Sequence, residues 1–138
     1  MINGINSREM ILEILLEIEE GEHSHVAIRN ALSKYQFLPK QDRAFITRVC
    51  EGTLEYRIQI DYIINSFSKV TVDKMKPAIR EILRSAVYQL KYMDSVPDSA
   101  VCNEAVKLAQ RKGFYNLKPF VNGVLRTIAR EMDQVRFP

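Results

Sequence analysis

The sequence lacks several features that mark membrane, secreted or nucleotide-binding proteins. No stretch approaches the roughly 18 consecutive apolar residues of a membrane-spanning helix, and the start, MINGINSREM, has neither the basic segment nor the continuous apolar segment of a signal peptide. The five glycines are not clustered, so the glycine-rich turn of a nucleotide site is missing. Strand-like alternation, internal repeats and low-complexity tracts are also missing. We therefore expect a cytoplasmic protein with no membrane partner and no catalytic nucleotide pocket in this chain.

Cysteine and histidine occur only twice each. Cys50 and Cys102 lie within helical patterns and are predicted to be small core or boundary residues, as suits a reducing compartment. The sequence leaves open a disulfide between them. His23 and His25 form no ligand set with either cysteine, so no metal site is predicted.

Charge is distributed unevenly along the 138 residues, although the net charge is only +3. The first 22 residues carry six glutamates against one arginine, whereas residues 70–138 carry twelve lysines and arginines against seven acidic residues. A basic second half is consistent with a polyanionic partner. A solvated surface without such a partner explains the same mild excess, so charge alone does not decide.

Apolar side chains recur at helical spacing through most of the chain and predict a helical fold in one domain. The predicted helical segments cover residues 7–20, 24–35, 39–67, 76–93, 97–112 and 116–130. Gly52, inside the third segment, either permits close helix contact or accompanies a break near Tyr56. The segment 76–93 has a continuous apolar stripe and is expected to be the most buried helix.

Residues at the helix ends indicate where each helix begins or stops. Ser7, Ser24 and Asn116 are the predicted N-caps, because their side-chain oxygens can accept from the first free N–H groups. Pro97 is predicted as a first helical residue, where its missing N–H costs nothing. Gly113 is predicted to end the helix that begins at Pro97.

Two helices near the end of the chain carry a family motif. The run VPDSAVCNEAVKLAQRKG, followed by FVNGVLRTIAR, resembles the signature of the NusB family, and the match extends from about Ser7 to Arg130. The run REILRSAVYQLKYMDSVP resembles the central helix of the same family. The resemblance implies an all-α, NusB-type helical bundle of about seven helices, arranged as two packed subsets, that binds RNA. It divides the chain into a NusB-like domain at residues 1–131 and the start of a linker at residues 132–138.

Two kinds of protein carry this resemblance. One is the N-terminal domain of the 16S rRNA cytosine-5 methyltransferases of the Sun/Fmu family, and the other is the stand-alone transcription antitermination factor. Arg126, in VLR, resembles the methyltransferase domain, whereas the antitermination factor is often acidic there. The DRA and GTL runs at residues 42–44 and 52–54 also resemble the methyltransferases, although Glu55 departs from their usual arginine. The length of the chain is typical of the antitermination factor.

The leading expectation is an RNA-binding, substrate-positioning domain of a 16S rRNA methyltransferase whose catalytic domain is absent from this chain. The resemblance implies that the absent domain binds S-adenosylmethionine and carries a nucleophilic cysteine after a proline. Cys50 and Cys102 each follow a valine, so this chain alone, which needs no cofactor, is not expected to methylate RNA. Its expected partners are ribosomal RNA and its own catalytic domain.

Two alternatives remain open at this point. The first is an antitermination factor that binds an rRNA leader element together with a small ribosomal protein. The second is a helical protein-interaction domain with no RNA affinity. A salt titration of RNA binding separates the second from the others, because phosphate contacts make affinity fall steeply with salt.

Four cations on one helix are the first candidate RNA contacts. Lys76, Arg80, Arg84 and Lys91 fall within about an 80° arc on one flank of their helix. They are predicted to form a phosphate-contacting row. The alternative for these cations is solvation with salt bridges to the acidic first helix.

A second candidate row lies on the last helix. Asn122, Arg126 and Arg130 fall on its solvent side, and Asn103 lies off the apolar stripe of the preceding helix. The sequence does not decide whether Asn103 and Asn122 contact RNA or tie helix ends together.

The remaining candidates are two further arginines and three aromatics. Arg8 matches an arginine common in the family, with a salt bridge to a nearby acid as the alternative. Arg43 and Arg57 share a helix face only if the helix is continuous through Gly52. Three tyrosines are candidates for stacking on unpaired bases, namely Tyr88, Tyr92 and Tyr115. The alternative for each tyrosine is a position in or beside the core.

Overall fold

The computed structural model describes residues 6–138, which contain seven α-helices and no strand. The helices are α1 Ser7–Glu19, α2 Ser24–Lys34, α3 Lys40–Glu55, α4 Arg57–Phe67, α5 Pro77–Tyr92, α6 Asp98–Arg111 and α7 Lys118–Glu131. Short 3₁₀ turns occupy Val72–Lys74, Tyr115–Leu117 and Met132–Gln134. The predicted all-α fold is confirmed. Within the described range, every helix is too short or too polar to cross a bilayer.

Helix α5 lies at the centre of the fold. Ten of its sixteen residues are buried, more than in any other helix that the structure describes. It packs against α1, α3, α4, α6 and α7. Fully burying an aliphatic side chain such as Ile79 or Leu83 contributes about 1.5–3 kcal/mol. The prediction that this helix is the most buried is therefore confirmed, and the other helices are arranged around it.

The long segment after Pro39 divides into α3 and α4 at Tyr56. Gly52 lies inside α3, buried beneath the ring of Tyr88 from α5, and a Cβ at Gly52 would overlap that ring. Close helix contact and a helix break, the two alternatives for this segment, therefore both occur, the first at Gly52 and the second at Tyr56. The glycine allows α3 to approach α5 closely, and the helix continues through it to Glu55 before it breaks.

The first two helices begin differently from the prediction. Asn6, and not Ser7, is the N-cap of α1, and its Oδ1 accepts from the backbone N–H of Glu9 at 2.8 Å. Asn6 has the extended backbone that a capping residue needs. Ser24 is the first residue of α2 and follows His23, whose side chain makes no capping hydrogen bond. Asparagine and serine are equally good caps by type, so the sequence could not choose between Asn6 and Ser7.

The starts of α6 and α7 are also corrected. Pro97 is the N-cap of α6, with φ −60° and ψ 140°, and Asp98 is its first helical residue. Asn116 does not cap α7, because it lies inside the 3₁₀ turn that leads directly into Lys118. Gly113 follows α6 with φ 87°, a left-handed conformation that favours glycine, as predicted.

The end of the chain packs back onto the domain. Val135 is partly buried against the core, and the Tyr62 hydroxyl donates to the carbonyl of Arg136 at 3.1 Å. The ring centroids of Tyr62 and Phe137 are 5.5 Å apart. Residues 135–137 therefore lie against the domain, with Arg136 and Phe137 beside α4. That a linker to a further domain follows them stays a prediction.

Both cysteines are buried and carry free thiols. Burial, with a smaller effect of Glu51, raises the pKa of Cys50 to about 12. Burial also raises the pKa of Cys102. The prediction of core cysteines is confirmed, and their thiols are poor nucleophiles because the thiolate is disfavoured.

Candidate nucleic-acid interface

The predicted row on α5 does not present four available cations. Arg80 points back into the domain, where its Nε donates to Oε1 of Glu19 at 2.7 Å. Its Nη1 donates to the carbonyls of Val72 and Met75 at 3.2 and 3.0 Å. The guanidinium thus joins α5 to the end of α1 and to the 3₁₀ turn before α5. The alternative noted from the sequence, a salt bridge to the acidic first helix, is what the structure shows for this arginine.

Arg84 is paired still more completely. Its Nε and Nη2 donate to the two carboxylate oxygens of Asp61 on α4, each at 2.8 Å, and its Nη1 donates to Glu81 at 2.7 Å. The side chain of Arg84 is only 11% exposed. A row of four outward-facing cations was therefore a wrong expectation, because Arg80 and Arg84 are committed to internal carboxylates. RNA contact by Lys76, which is exposed, and by Lys91 stays a prediction.

Glu19 and Glu81 form a carboxyl pair inside this cluster. Burial and the hydrogen bond with Glu19 raise the pKa of Glu81 to about 8. Burial also acts to raise the pKa of Glu19, but hydrogen bonds from Arg80 and Glu81 hold it below the usual range. At neutral pH, Glu81 therefore keeps its proton and donates to Glu19, whose Oε2 is buried and has no other donor among residues 6–138.

Arg43 and Arg8 also make internal contacts. Arg43 Nη1 donates to the carbonyls of Leu32 and Tyr35 at 2.9 and 3.1 Å, which ties the end of α2 to α3. Arg43 and Arg57 do not lie on one continuous helix face, because α3 ends at Glu55 and α4 begins at Arg57. Arg8 donates from Nε to Gln89 at 3.2 Å, so its contact differs from the salt bridge that the sequence offered as an alternative.

Helix α7 carries a different arrangement. Lys118, Asn122, Arg126 and Arg130 follow one another at four-residue spacing along one side of the helix, and we call them the α7 row. Arg126 Nε donates to Oδ1 of Asn122 at 3.1 Å, and its Nη2 donates to Oδ1 of Asn103 on α6 at 2.8 Å. The two asparagines that the sequence could not assign thus fix the orientation of one arginine.

The partners of Arg126 leave its charge uncompensated. Asn103 and Asn122 are neutral amides, whereas Arg80 and Arg84 are held by carboxylates. Arg126 Nη1 makes no hydrogen bond to residues 6–138, so a guanidinium with five N–H groups retains donors for an incoming anion. A fixed arginine with free donors suits the geometry of a phosphate.

Both ends of the α7 row are also cationic. Lys118 Nζ is held by another neutral amide, Oε1 of Gln110, at 2.7 Å. Arg130 pairs with its neighbour Glu131 at 3.0 Å, but its side chain is 65% exposed, and such surface pairs are weak. Lys118 was missed from the sequence, although its four-residue spacing from Asn122 could have indicated it.

Other cations of the second half are neutralised across helices. The pairs are Arg111 with Glu9, Lys112 with Glu13, and Lys107 with Glu104. The first two join the end of α6 to the acidic side of α1. The basic excess of residues 70–138 is therefore not spread evenly over the surface, and the α7 row keeps a share that carboxylates do not cancel.

The three candidate stacking tyrosines have different environments. Tyr88 is buried against Gly52. Tyr92 stacks on Tyr56 with ring centroids 4.5 Å apart. Tyr88 and Tyr92 therefore belong to the packing of the domain, which was the alternative to base stacking. Tyr115, in the turn before α7, is 64% exposed.

Metal-ligand types do not gather at this interface. Among residues 6–138, no three His, Cys, Asp or Glu side chains come together as a possible metal-binding group. The chemistry that the α7 row supports is the binding of an anion by fixed donors.

Comparison with known families decides what kind of domain carries this row. The sequence profile of the NusB family matches residues 5–130. The chain belongs to the NusB family. The prediction made from the motifs of α6 and α7 is confirmed, and the two kinds of protein named there are both among the relatives.

The curated relatives of this NusB-family chain fall into two groups. The probable ribosomal RNA small subunit methyltransferase B of Bacillus subtilis is 35% identical over 124 residues, which are 90% of this chain and 28% of that protein. The transcription antitermination protein NusB of Dictyoglomus thermophilum is 33% identical over 130 residues, 94% of this chain and 85% of that protein. The chain thus spans less than a third of the methyltransferase and most of the NusB protein.

Solved structures confirm the NusB fold. A structure described as T. maritima NusB superposes with a TM-score of 0.80 at 26% identity, and covers 91% of this chain and 89% of its own. The antitermination factors NusB and NusE in complex with dsRNA give a TM-score of 0.81 at 21% identity, with 90% of this chain and 93% of the other covered. At that identity, the second likeness shows the fold alone.

Proposed function

We propose that this chain is an RNA-binding domain of the transcription antitermination type, and that the α7 row contacts the phosphates of its RNA. The observation that carries the proposal is the hydrogen bonding of Arg126 to two neutral amides. Holding an arginine in one orientation without a carboxylate keeps its full charge for an external anion. RNA supplies such anions at every nucleotide.

The antitermination role is favoured by how the relatives align. Several NusB proteins match over most of their length, with 95% of the Bacillus velezensis protein covered at 33% identity. One solved relative is a complex of NusB with NusE and RNA. We therefore propose an rRNA leader element as the RNA and a small ribosomal protein as the partner.

The first prediction concerns Arg126. Replacing it (Arg126→Ala) should weaken binding of a single-stranded RNA of mixed sequence about tenfold or more, because a charge-assisted hydrogen bond is lost. In a salt titration followed by fluorescence anisotropy, the slope of log affinity against log salt should decrease by about 0.7, the value for one phosphate contact on a single strand.

Two control variants sharpen this measurement. Arg29→Ala removes the same charge from α2, which packs on α1 and α3, and should change neither affinity nor slope appreciably. Arg126→Lys keeps the charge but loses the planar fork, so its affinity should lie between those of wild type and alanine. If wild type and Arg126→Ala show the same salt slope, the α7 row is not the phosphate site.

A second candidate function rests on a specific observation. The relative at 35% identity is a probable methyltransferase, and Arg126 resembles that group. In this alternative, the domain positions ribosomal RNA for a further domain that would bind S-adenosylmethionine and carry the nucleophile. Reading the gene beyond the codon for Pro138 separates the two: a following methyltransferase domain with a Pro-Cys nucleophile supports this candidate. Tighter RNA binding on addition of the small ribosomal protein supports antitermination.

A further inference from the structure

We propose that Tyr115 is a stacking platform for an unpaired RNA base at the N-terminal end of the α7 row. The inference rests on the proposed function, because the strand that offers the base is the strand whose phosphates the α7 row contacts. Tyr115 is 64% exposed, and Lys118 Nζ lies 4.5 Å from the centroid of its ring. Aromatic rings of this kind stack on bases that are splayed out of a single strand.

The turn that carries Tyr115 is firmly anchored. Phe114 and Leu117, on either side of it, pack against the hydrophobic core. The N–H of Phe114 donates to the carbonyl of Ala109 at 2.9 Å, and the N–H of Leu117 donates to the carbonyl of Phe114 at 2.9 Å. The ring therefore stands on a backbone held by two partly buried side chains, Phe114 and Leu117. Exposing this apolar ring to solvent is unfavourable, and the fold does not require the ring to be exposed.

The surroundings of the ring favour a nucleic acid over a protein partner. Asn116 beside it is exposed, and Lys118 is held in place by Gln110. A protein interface of comparable strength is usually centred on apolar neighbours, with lysine depleted. An isolated aromatic ring with a fixed ammonium group beside it matches the combination used for single strands, in which cations contact the backbone and aromatic rings stack on bases.

The spacing on α7 fits one continuous strand. Lys118 and Arg126 are eight residues apart, which corresponds to about 12 Å along a helix. A strand that follows the α7 row from Arg126 to Lys118 therefore arrives beside Tyr115. Because every base has a π-face, the contact would secure an unpaired nucleotide without selecting its identity.

The test compares a single strand with a duplex. Binding of a short single-stranded RNA of mixed sequence, and of the same RNA annealed to its complement, is measured for wild type, Tyr115→Ala and Tyr115→Phe. Tyr115→Ala should weaken single-strand binding about 5- to 150-fold, the range for one stacked base, and should leave the duplex unchanged. Its salt slope should equal that of wild type, because no phosphate contact is lost. Tyr115→Phe should bind like wild type.

A matched control and a spectroscopic signal make the test specific. Phe37→Ala removes another exposed aromatic, 67% exposed and located between α2 and α3, and should leave RNA binding unchanged. With 2-aminopurine in the single strand, wild type should change its fluorescence at one position, and Tyr115→Ala should abolish that change.

The outcomes separate the two proposals. If wild type binds RNA through Arg126 but Tyr115→Ala binds the single strand equally well, the stacking inference fails and the proposed function stands. Equal losses on single strand and duplex, or a loss in Tyr115→Phe as large as in Tyr115→Ala, also overturn the inference. If wild type binds neither RNA at any salt concentration, both proposals fail.

Discussion

At the scale of single residues, the chemistry of the partner determines what each cation can do. Arg84 is held by the carboxylate of Asp61 and by the carboxyl group of Glu81, and it joins α4 to α5. Arg126 is held by amides of two asparagines and remains a site for anions. Both arginines look alike in the sequence, where each lies on a polar flank of an amphipathic helix. Their difference arises from which side chains the fold brings next to them.

The pair of Glu19 and Glu81 gives a pH-dependent stability. The pKa of Glu81 is about 8 in the folded chain, against an ordinary value of 4.5. Between these values, the folded chain holds a proton that the unfolded chain has released, so the free energy of unfolding should fall as pH rises through this window. Glu19, whose pKa is lowered, acts in the opposite sense and at lower pH.

Glu81→Gln should remove this dependence, because glutamine resembles the neutral carboxyl. We expect the melting temperature of wild type minus that of Glu81→Gln to decrease as the pH rises from about 5 to about 9. Glu20→Gln serves as the control, because Glu20 is exposed and lies next to Glu19 in the sequence. Its melting temperature should show the same pH dependence as that of wild type. A difference between wild type and Glu81→Gln that stays constant over this range would show that Glu81 is ionised in the fold.

At the scale of helices, two glycines in α3 and α7 predict opposite responses to the same substitution. Gly52→Ala should destabilise the domain by about 1–3 kcal/mol, because the new Cβ meets the buried ring of Tyr88. Gly123→Ala, where a Cβ meets no atom within 4 Å, should stabilise α7 by up to about 1 kcal/mol. Chemical denaturation measures both. Stabilisation by Gly52→Ala would mean that α3 does not depend on close approach to α5.

Helices are also the level at which the sequence was most informative. Periodicity was sufficient to predict that α5 is buried, because the stripe from Ile79 to Leu90 needs apolar partners. It did not predict the burial of Glu81, Ser85 and Gln89, which lie off that stripe. The motifs of α6 and α7 indicated the NusB fold. Periodicity could not show that Arg80 meets Glu19, since the two residues are 61 positions apart and meet only in the folded chain. It placed Asn103 and Asn122 off their apolar stripes, but their shared contact with Arg126 depends on how α6 packs on α7.

At the scale of the whole molecule, the tail contributes to the domain. Deleting residues 135–138 removes the contact of Val135 with the core and the hydrogen bond from Tyr62 to Arg136. We expect a loss of about 1–2 kcal/mol in the free energy of unfolding, from the apolar area and one hydrogen bond. Tyr62→Phe, which keeps the ring, should lose only part of it. An unchanged stability after the deletion would show that the tail behaves as a linker.

The charged cluster around Arg80 and Arg84 also has a consequence for how the domain comes apart. Its members come from α1, α4 and α5, so the departure of any one helix would strand an ionised group in apolar surroundings. Because of this cost, α1, α4 and α5 are expected to unfold together and not one at a time. The interior built from α1, α4 and α5 should therefore open as a whole or stay closed.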